Sequence, residues 1–334
     1  MGTQWRMGML KISRRAILKV TAGAAALPAM PYVARADAYP SRPVLILVGY
    51  APGGPTDICG RLIAQWLSQR LGQQFVVENR DGAGSNIATE AAIHATPDGY
   101  TLLLATQSNA INATLYSHMA FNYMASMVPI AGIMKAPSVL EVTPSMPIKS
   151  TAEFIAYAKE HPGKLDLGTA GNGSPPHMFA ELFMYMTGVK LNVIGYRGGG
   201  PALVDLLSGQ VQVMFEGITS SIGYLRAGKL RPLGVTSAKR SPVLPDVPPI
   251  GDVVKGYNAA GWFGLAAPKG TPQPVIDTLN KAVAAAMTDP TMKAKMANLG
   301  AEPMPMGPDE FGKLMADETE TWGKVIKSAN IHLG

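Results

Sequence analysis

The sequence predicts an α/β protein with two lobes, and three features of the chain indicate this. Short apolar runs alternate with amphipathic segments, the order that builds a parallel sheet with helices on both faces. This pattern occurs twice, before and after a long extended run at residues 128–144. A helical tail that begins at Pro272 is expected to return to the first lobe. Two chain crossings would then form a hinge, and a hinge gives a cleft that can open and close.

The composition is that of a globular protein without a basic face. The 334 residues are 47% apolar and 16% charged, which is enough for a large core and more than one lobe. The net charge of +6 comes from the first 36 residues, which hold six basic residues and no acidic one, whereas the rest of the chain has 23 of each. Nucleic-acid binders need a basic face, so we predict no nucleic-acid partner.

The amino terminus is predicted to be a targeting segment. Residues 13–19, SRRAILK, are similar to a twin-arginine export signal, and an apolar stretch at residues 16–30 follows. Ala34-Arg35-Ala36 fits the small-x-small cleavage rule. We therefore expect a signal peptide over residues 1–36, cleavage near Ala36 and a mature chain in the periplasm. The alternative, a membrane anchor, needs about 20 apolar residues, which is longer than this stretch.

The first strand–helix junction is a candidate binding site. Val44–Gly49 is predicted to be a buried strand, and an amphipathic helix follows the loop YAPGGPTD at residues 50–57. Open α/β sheets bind ligands at this edge. Gly53 and Gly54 leave backbone N–H groups uncovered beside a helix amino end, which suits a carboxylate or phosphate. A glycine-rich turn without a ligand is an equally good interpretation of this loop alone.

The other elements of the first lobe follow in order. Phe75–Asn79 and residues 101–106 are predicted strands, separated by a glycine-rich loop at residues 80–85 and a helix at residues 86–95. Gln107 and Ser108 come at the carboxyl end of the third strand, on the same edge as the first loop. Cys59, the only cysteine, is expected to be a small buried residue of the first helix.

The second lobe repeats the order of strands and helices. Its helices are predicted at residues 151–161, 177–188, 201–209 and 221–228, and its strands at residues 165–170, 191–196, 211–217 and 230–237. A strand and turn at residues 261–272 lead into the tail. The tail is predicted to have helices at residues 272–289, 291–300 and 308–331, with Gly300 as a left-handed cap.

Two further glycine-rich loops also lie between a predicted strand and a predicted helix. Thr169–Ser174 offers hydroxyls and exposed N–H groups, with His177 just behind it. Tyr196–Gly200 contains Arg197 and three glycines, and Pro201 would be the first helical residue. If the lobes face each other, the helix amino ends can converge on one anion with carboxylates at one or both ends.

Each polar candidate also has a purely structural interpretation. His177 could contact a ligand or act as a general base, although bracing its loop is the more common role. Asp57 could bind a donor on the ligand, or stabilise its helix end by about 0.3–1 kcal/mol. Arg197 could pair with a carboxylate or be solvated at the rim, and Glu216 could bond only to nearby N–H groups. The candidate ligand contacts are Gly53, Gly54, Pro55, Thr56, Asp57, Gln107, Ser108, Thr169, Ala170, Gly171, Asn172, Gly173, Ser174, His177, Tyr196, Arg197, Gly198 and Glu216.

Motifs for catalysis, cofactors and metals are missing. The chain has no GxxxxGK[ST], no GxGxxG after its first strand and no GxSxG. Its five histidines lack metal-ligand spacing, and nothing pairs a nucleophile with a base. We therefore predict a binding protein with no catalytic residue, no metal site and no cofactor; an enzyme on the same fold is the less favoured alternative. Tyr50, Tyr196, Trp262 and Phe263 could line an aromatic slot or lie in the core or at the rim.

With these residues in hand, the chain resembles the Bug family, the periplasmic solute-binding proteins of tripartite tricarboxylate transporters. The resemblance covers residues 40–331 and rests on many motifs in the same order. They include SRPVLILVGYAPGGPTD, ENRDGAGSNIATEAA, TPDGYTLLLAT, KLDLGTAGNGSPPHMFAELF, YRGGGPALVDLLSGQVQVMFEG and GWFGLAAPKGTP.

The resemblance implies a two-lobed type II periplasmic binding fold. Lobe I would comprise residues 37–138 and 258–334, and lobe II residues 139–257. Two loops would close on the ligand like pincers, here Gly53–Asp57 and Thr169–Ser174, with backbone N–H groups, hydroxyls and ordered water around a carboxylate. The chain departs from the family pattern at Arg197, where lysine is common, and at Glu216, where aspartate or asparagine is usual. Either change could alter the distal contacts of the ligand.

The resemblance also implies a function. The protein would be a monomeric periplasmic receptor that captures a small organic carboxylate and delivers it to the membrane subunits of a transporter. A sensor that presents the same acid to a histidine kinase would share the site, so this alternative stays open. Dicarboxylates, tricarboxylates, aromatic acids, amino acids and nicotinate-like acids are all compatible with the sequence.

Overall fold

The computed structural model describes residues 39–116 and 119–332, together with Gly2. Apart from Gly2, the predicted twin-arginine signal peptide and its cleavage site at Ala36 lie outside the described residues. Within the described part of the chain, no helix is long and apolar enough to cross a membrane.

The first three strands form a parallel sheet, as the sequence predicts. They are β1 (Val44–Val48), β2 (Phe75–Asn79) and β3 (Thr101–Thr106), paired in the order β2-β1-β3. The helices of this part are α1 (Pro55–Leu71), α2 (Asn86–Ile93), α3 (Gln107–Leu115) and the single turn α4 (Tyr123–Ser126). The apolar face of α1, including Cys59, Ile63 and Leu67, is buried in the core. This confirms the amphipathic interpretation of the segment.

One long strand, β4 (Met127–Val142), joins the two halves of the sheet. Its residues 127–137 pair antiparallel with β9 (Ala260–Pro268), which also pairs antiparallel with β3. Its residues 138–142 pair antiparallel with β7 (Val213–Gly217). The predicted parallel pairing therefore holds within each half, but the whole sheet is mixed. The reason is that β4 and β9 are crossings between the lobes and not members of a βαβ unit.

The second half of the sheet repeats the parallel arrangement. The strands β5 (Asp166–Thr169) and β6 (Asn192–Gly195) join β7 in the order β7-β5-β6, and β8 (Arg231–Val235) pairs with β4. Its helices are α5 (Thr151–Glu160), α6 (Pro175–Thr187), α7 (Gly199–Ser208) and α8 (Ile218–Arg226). α7 begins two residues before Pro201, the predicted first residue, so Gly199 and Gly200 belong to its first turn.

The carboxyl-terminal tail contacts both halves of the molecule. It consists of α9 (Gln273–Thr288), α10 (Pro290–Asn298), the short β10 (Glu302–Pro303) and α11 (Pro308–Ser328). Gly300 has φ 73°, which confirms the predicted left-handed cap. Near the end of α11, Trp322 stacks on Phe179 of α6 with ring centroids 5.9 Å apart. We propose lobe boundaries at residues 138 and 258, where β4 changes partners and where the chain returns towards β9.

Candidate functional site

Four helices begin around one cavity between the two lobes. Their N-cap residues are Gly54 for α1, Ser174 for α6, Gly198 for α7 and Gly217 for α8. Helix amino ends carry partial positive charge, so their convergence favours an anion. The residues from these ends that line the cavity are Gly54, Pro55, Thr56, Pro175, Pro176, Gly199 and Gly217.

The remaining wall of this inner cavity is mostly apolar. It is formed by Tyr50, Ala136, Ser138, Ala170, Phe179, Gly261, Trp262 and Phe263. In this conformation the cavity measures about 40 Å³. That volume accommodates a few water molecules and not an organic acid. The lobes therefore have to part before a solute can enter.

The first loop is held in shape by Asp57, which is buried in the first turn of α1. One carboxylate oxygen accepts the Gly53 N–H at 3.1 Å, and the other accepts Asn79 Nδ2 at 3.0 Å. Arg61 adds an ion pair at 2.8 Å. Burial alone would raise the pKa of Asp57, but the bonds from Arg61, Gly53 and Asn79 outweigh burial and hold it below its usual value. Asp57 thus braces the first loop from within the fold.

The amino ends of α1 and α7 lie so close together that their backbones are in contact. A Cβ on Gly54 would lie 3.3 Å from the Gly199 nitrogen and 3.5 Å from the Gly200 nitrogen. A Cβ on Gly200 would overlap the Pro52 carbonyl oxygen. Only glycine allows this approach. The glycine runs of both loops are therefore needed for the two lobes to pack against each other.

Backbone donors from both lobes remain available beside the inner cavity. The N–H groups of Thr56, Gly199 and Gly200 have no hydrogen-bond partner among the described residues. A backbone hydrogen bond links the lobes next to them, since the Ala51 N–H donates to the Arg197 carbonyl at 2.9 Å. The free N–H groups beside the cavity thus come from α1 and from α7, whereas the sequence predicted the loops Gly53–Asp57 and Thr169–Ser174 as the sources.

The Thr169 hydroxyl, by contrast, is engaged within lobe II. It donates to the Ile194 carbonyl at 3.4 Å and accepts the Gly171 N–H at 3.3 Å. The side chain is fully buried and does not line the inner cavity. Its evident role is to hold the start of the loop, where the next residue, Ala170, does line the cavity.

The amino end of α6 is capped from within its own loop. The Ser174 hydroxyl accepts the His177 N–H at 3.4 Å, and the two prolines at 175–176 have no N–H to donate. The His177 ring braces the loop as well, because Nδ1 accepts the Gly173 N–H at 3.3 Å and Nε2 lies 3.5 Å from a Glu181 oxygen. α6 therefore acts on the cavity mainly through its helix dipole, because few of its N–H groups are free to bind a ligand.

A second, more open cavity of about 310 Å³ lies at the mouth of the cleft. This outer vestibule is lined by Tyr50, Gly82, Ala83, Gly84, Tyr116, Ala170, Gly171, Asn172, Gly195, Tyr196 and Arg197. The Arg197 side chain is 84% exposed, with its Nε 3.8 Å from an Asp81 carboxylate oxygen. Among the predicted contacts, Gly171, Asn172, Tyr196 and Arg197 thus lie in the vestibule and not in the inner cavity.

Gln107 and Ser108 lie in the first turn of α3, behind Tyr50. The Ser108 hydroxyl hydrogen-bonds the Tyr50 hydroxyl, and Gln107 Nε2 donates to Glu318. Neither residue lines the inner cavity or the vestibule. Ser108 therefore positions Tyr50, which lines both spaces, whereas Gln107 is bonded to Glu318 of α11.

Glu216 lies directly under the first turn of α7. A Cβ on Gly199 would overlap its carboxylate. The Ser220 hydroxyl donates to one carboxylate oxygen at 2.7 Å, and the other oxygen has no partner within the described part of the chain. Burial raises the pKa of Glu216 to about 7 despite the hydrogen bonds from Ser220 and the Gly217 N–H. Glu216 thus lies behind the cavity wall, against Gly199, and does not line the cavity itself.

Several cavity residues were not among the predicted contacts. Ser138 and Phe179 lie within a long strand and a helix, where an apolar pattern indicates only a core. Trp262 and Phe263, considered for an aromatic slot, do line the cavity. The glycine run before Pro201 is the signal that could have identified Gly199. Across residues 39–116 and 119–332, no group of three or more His, Cys, Asp or Glu side chains could hold a metal ion.

Comparison with known proteins identifies the family. Residues 59–331 match the model of the tripartite tricarboxylate transporter family receptor. Protein BugT of Bordetella pertussis is 36% identical to this chain over 303 residues, which cover 89% of this chain and 92% of BugT.

Two solved structures from Rhodopseudomonas palustris have the same fold. One is Rpa4515 with adipate, which is 38% identical, has a TM-score of 0.86, and aligns over 88% of this chain and 99% of its own. The other is MatC with bound malate, which is 32% identical, has a TM-score of 0.82, and aligns over 86% and 100%. The resemblance stated from the sequence is thereby confirmed. The chain belongs to the tripartite tricarboxylate transporter receptor family, the Bug proteins, which are two-lobed periplasmic solute-binding receptors and not enzymes.

Proposed function

We propose that this protein captures a small organic carboxylate between its lobes and delivers it to the membrane subunits of a tripartite tricarboxylate-type transporter. The convergence of four helix amino ends on the inner cavity carries the proposal. Each such end stabilises a nearby anion by typically about 0.3–1 kcal/mol. The adipate and malate bound to two relatives support a carboxylate as the anion. We also propose that the protein is a monomer. Its export would use the twin-arginine signal at residues 13–19.

The geometry suggests which groups hold the carboxylate. Thr56 and Ser138 line the inner cavity, and their hydroxyls bond to no described residue. Together with the free N–H groups of Thr56, Gly199 and Gly200, they can satisfy the lone pairs of one carboxylate. The loop residues Gly53 and Asp57, and Thr169 to His177, would support these donors from behind.

A screen of organic acids tests the binding step. A ligand at 100 times its Kd stabilises the folded state by about 2.7 kcal/mol, so the cognate acid is expected to raise the unfolding temperature clearly. Thr56→Val keeps the shape of the side chain but removes the hydroxyl, and should weaken binding about tenfold in calorimetry. Thr278→Val, on the exposed surface of α9, is the matched control and should bind normally. If no carboxylic acid in a broad panel stabilises the protein, the proposed function is wrong.

Delivery requires a second measurement. Membrane vesicles that contain the transporter subunits should take up the labelled acid only when the loaded receptor is added. Uptake at the same rate without the receptor would contradict the transport part of the proposal while leaving the binding part intact.

A further inference from the structure

Glu216 is a buried carboxyl group that lies against the amino ends of two helices. It comes near the end of β7, and the next residue, Gly217, is the N-cap of α8. It also touches the first turn of α7, because a Cβ on Gly199 would overlap its carboxylate. The side chain is fully buried, so any charge on it acts in surroundings that screen it poorly.

No basic side chain pairs with Glu216 in the described structure. The elements in contact with β7 are β4, β5, α6, α7 and α8, and Pro55 of α1 packs against Gly217. Their titratable side chains are Asp57, Cys59, Arg61, Arg70, Lys135, Glu141, Asp166, His177, Glu181, Tyr185, Asp205, Tyr224 and Arg226. The basic members of this set form no ion pair with the Glu216 carboxylate. Its ionised form is therefore supported by hydrogen bonds and helix amino ends alone.

This support leaves Glu216 able to gain or lose a proton near neutral pH. One carboxylate oxygen accepts the Ser220 hydroxyl at 2.7 Å, and the other has no partner among the described residues. Burial raises the pKa of Glu216 to about 7 against the hydrogen bonds from Ser220 and the Gly217 N–H. Burial also raises the pKa of Glu141 on β4, and Glu216 raises it further, so the two carboxyl groups disfavour a second negative charge.

The solute is proposed to bind at one of the same helix ends. The N–H groups of Gly199 and Gly200 are free, and Glu216 lies directly behind Gly199. All three residues belong to the proposed lobe II, residues 139–257, so their proximity does not depend on how far the lobes part. A carboxylate on these N–H groups and an ionised Glu216 would repel each other and share the positive potential of α7. The neutral form of Glu216 does neither.

We propose that Glu216 takes up a proton from solvent when the solute anion binds at the amino end of α7, so that the receptor captures its solute together with a proton. This inference rests on the proposed function, because it needs an anion at that helix end. Linkage between the two binding events is reciprocal, so alkaline pH weakens solute binding. The proton returns to solvent when the solute leaves.

The proton balance of binding provides the test. Adipate, malate and benzoate are titrated into the purified protein by calorimetry, and the acid with the lowest Kd is used. At pH 7 we expect uptake of about half a proton per solute, because about half of the free protein is already protonated at Glu216. The change in binding heat among buffers of different ionisation enthalpy measures this uptake. Between pH 6.5 and 8.5 the Kd should rise about tenfold, since the charged form of Glu216 becomes dominant.

Two variants identify the group that takes up the proton. Glu216→Gln keeps an acceptor for Ser220 but cannot ionise, so it should bind the acid without proton uptake and equally well at pH 6.5 and 8.5. Glu320→Gln, at a side chain that is 71% exposed, should keep the uptake of the native protein. Uptake that persists in Glu216→Gln would assign the proton to another group, such as His177 or Glu141, and would overturn the inference.

The native protein alone also decides the question, whether or not a variant folds. Binding without proton uptake, at a Kd that stays constant from pH 6.5 to 8.5, would overturn the inference and leave the proposed function standing. If none of the three acids binds at any pH, both fall.

Discussion

Replacing Glu216 by glutamine is expected to stabilise the protein at neutral and alkaline pH. The carboxyl group is fully buried, and burial raises its pKa from the ordinary value of 4.5 to about 7. The folded protein therefore keeps a proton that the unfolded chain releases between pH 4.5 and 7. Because the folded state holds more protons in this window, stability falls as pH rises through it and levels off above pH 7.

The size of the effect follows from the two pKa values. Their difference corresponds to a loss of on the order of 3 kcal/mol between pH 4.5 and pH 8. Glutamine cannot ionise, yet its carbonyl oxygen can still accept the hydrogen bond from Ser220. Burial raises the pKa of Glu141 on β4 well above its ordinary value, and the nearby Glu216 carboxylate raises it further. Removing its negative neighbour lowers the pKa of Glu141 and acts in the same direction.

Urea unfolding followed by tryptophan fluorescence at several pH values measures this effect. The free energy of unfolding of Glu216→Gln should equal that of the native protein near pH 4.5 and exceed it by about 3 kcal/mol at pH 8. Glu320→Gln is the matched control, because that side chain is 71% exposed and should leave the pH profile unchanged. A difference that stays constant with pH, or a variant that is less stable at pH 8, would show that the helix ends hold Glu216 ionised and would refute the reasoning.

Two further predictions concern the first loop and the contact between the lobes. Asp57→Asn should lower the free energy of unfolding by about 1–3 kcal/mol at pH 7, because the ion pair with Arg61 is lost. The pKa of Asp57 is lowered, so the difference from the native protein should disappear as pH falls through that pKa, and a difference that persists in acid would contradict this. Gly200→Ala should weaken solute binding at least about tenfold without changing the unfolding temperature, because the added methyl overlaps the Pro52 carbonyl oxygen and keeps the lobes apart. Gly223→Ala, with open space around the new methyl, is its control, and equal affinities for both variants in calorimetry would show that the approach of the lobes does not matter.

Most of the fold could be predicted from local sequence patterns. The strand at Val44–Val48 and the helix at Pro55–Leu71 have the expected periodicity, since their buried faces belong to one core. Gly300 marks a helix end because a left-handed backbone favours glycine wherever it occurs. Such features depend on residues that are close in sequence, so they are visible without the tertiary structure.

Two parts of the fold were not predicted, one with a local cause and one that depends on distant residues. The helix at Gln107–Leu115 begins with polar residues and was assigned only as the end of a strand; a capping box between Thr106 and Asn109 starts it. The mixed sheet arises because β4 pairs with β9, more than a hundred residues later in the chain. Periodicity describes which face of a strand is buried and does not specify its partner.

The candidate site, like the fold, could be predicted from the sequence only in part. The sequence identified the glycine-rich strand–helix junctions and the family, because both are recognised from motifs of consecutive residues. It could not distinguish donors that face the cavity from donors used within the fold. Thr169 and Ser174 were predicted as contacts, yet their hydroxyls bond to the backbone, whereas Thr56, also predicted, and Ser138, not predicted, line the cavity.

By itself, the sequence determined that this chain is a two-lobed receptor with glycine-rich loops suited to an anion. The tertiary structure decided which of these loops supplies free N–H groups, and it placed Phe179 and Trp262 in the wall of the same cavity. The physical reason is that a hydrogen-bond donor is available to a ligand only if no other part of the chain accepts from it. That condition depends on the packing of lobe I against lobe II, which no local pattern contains.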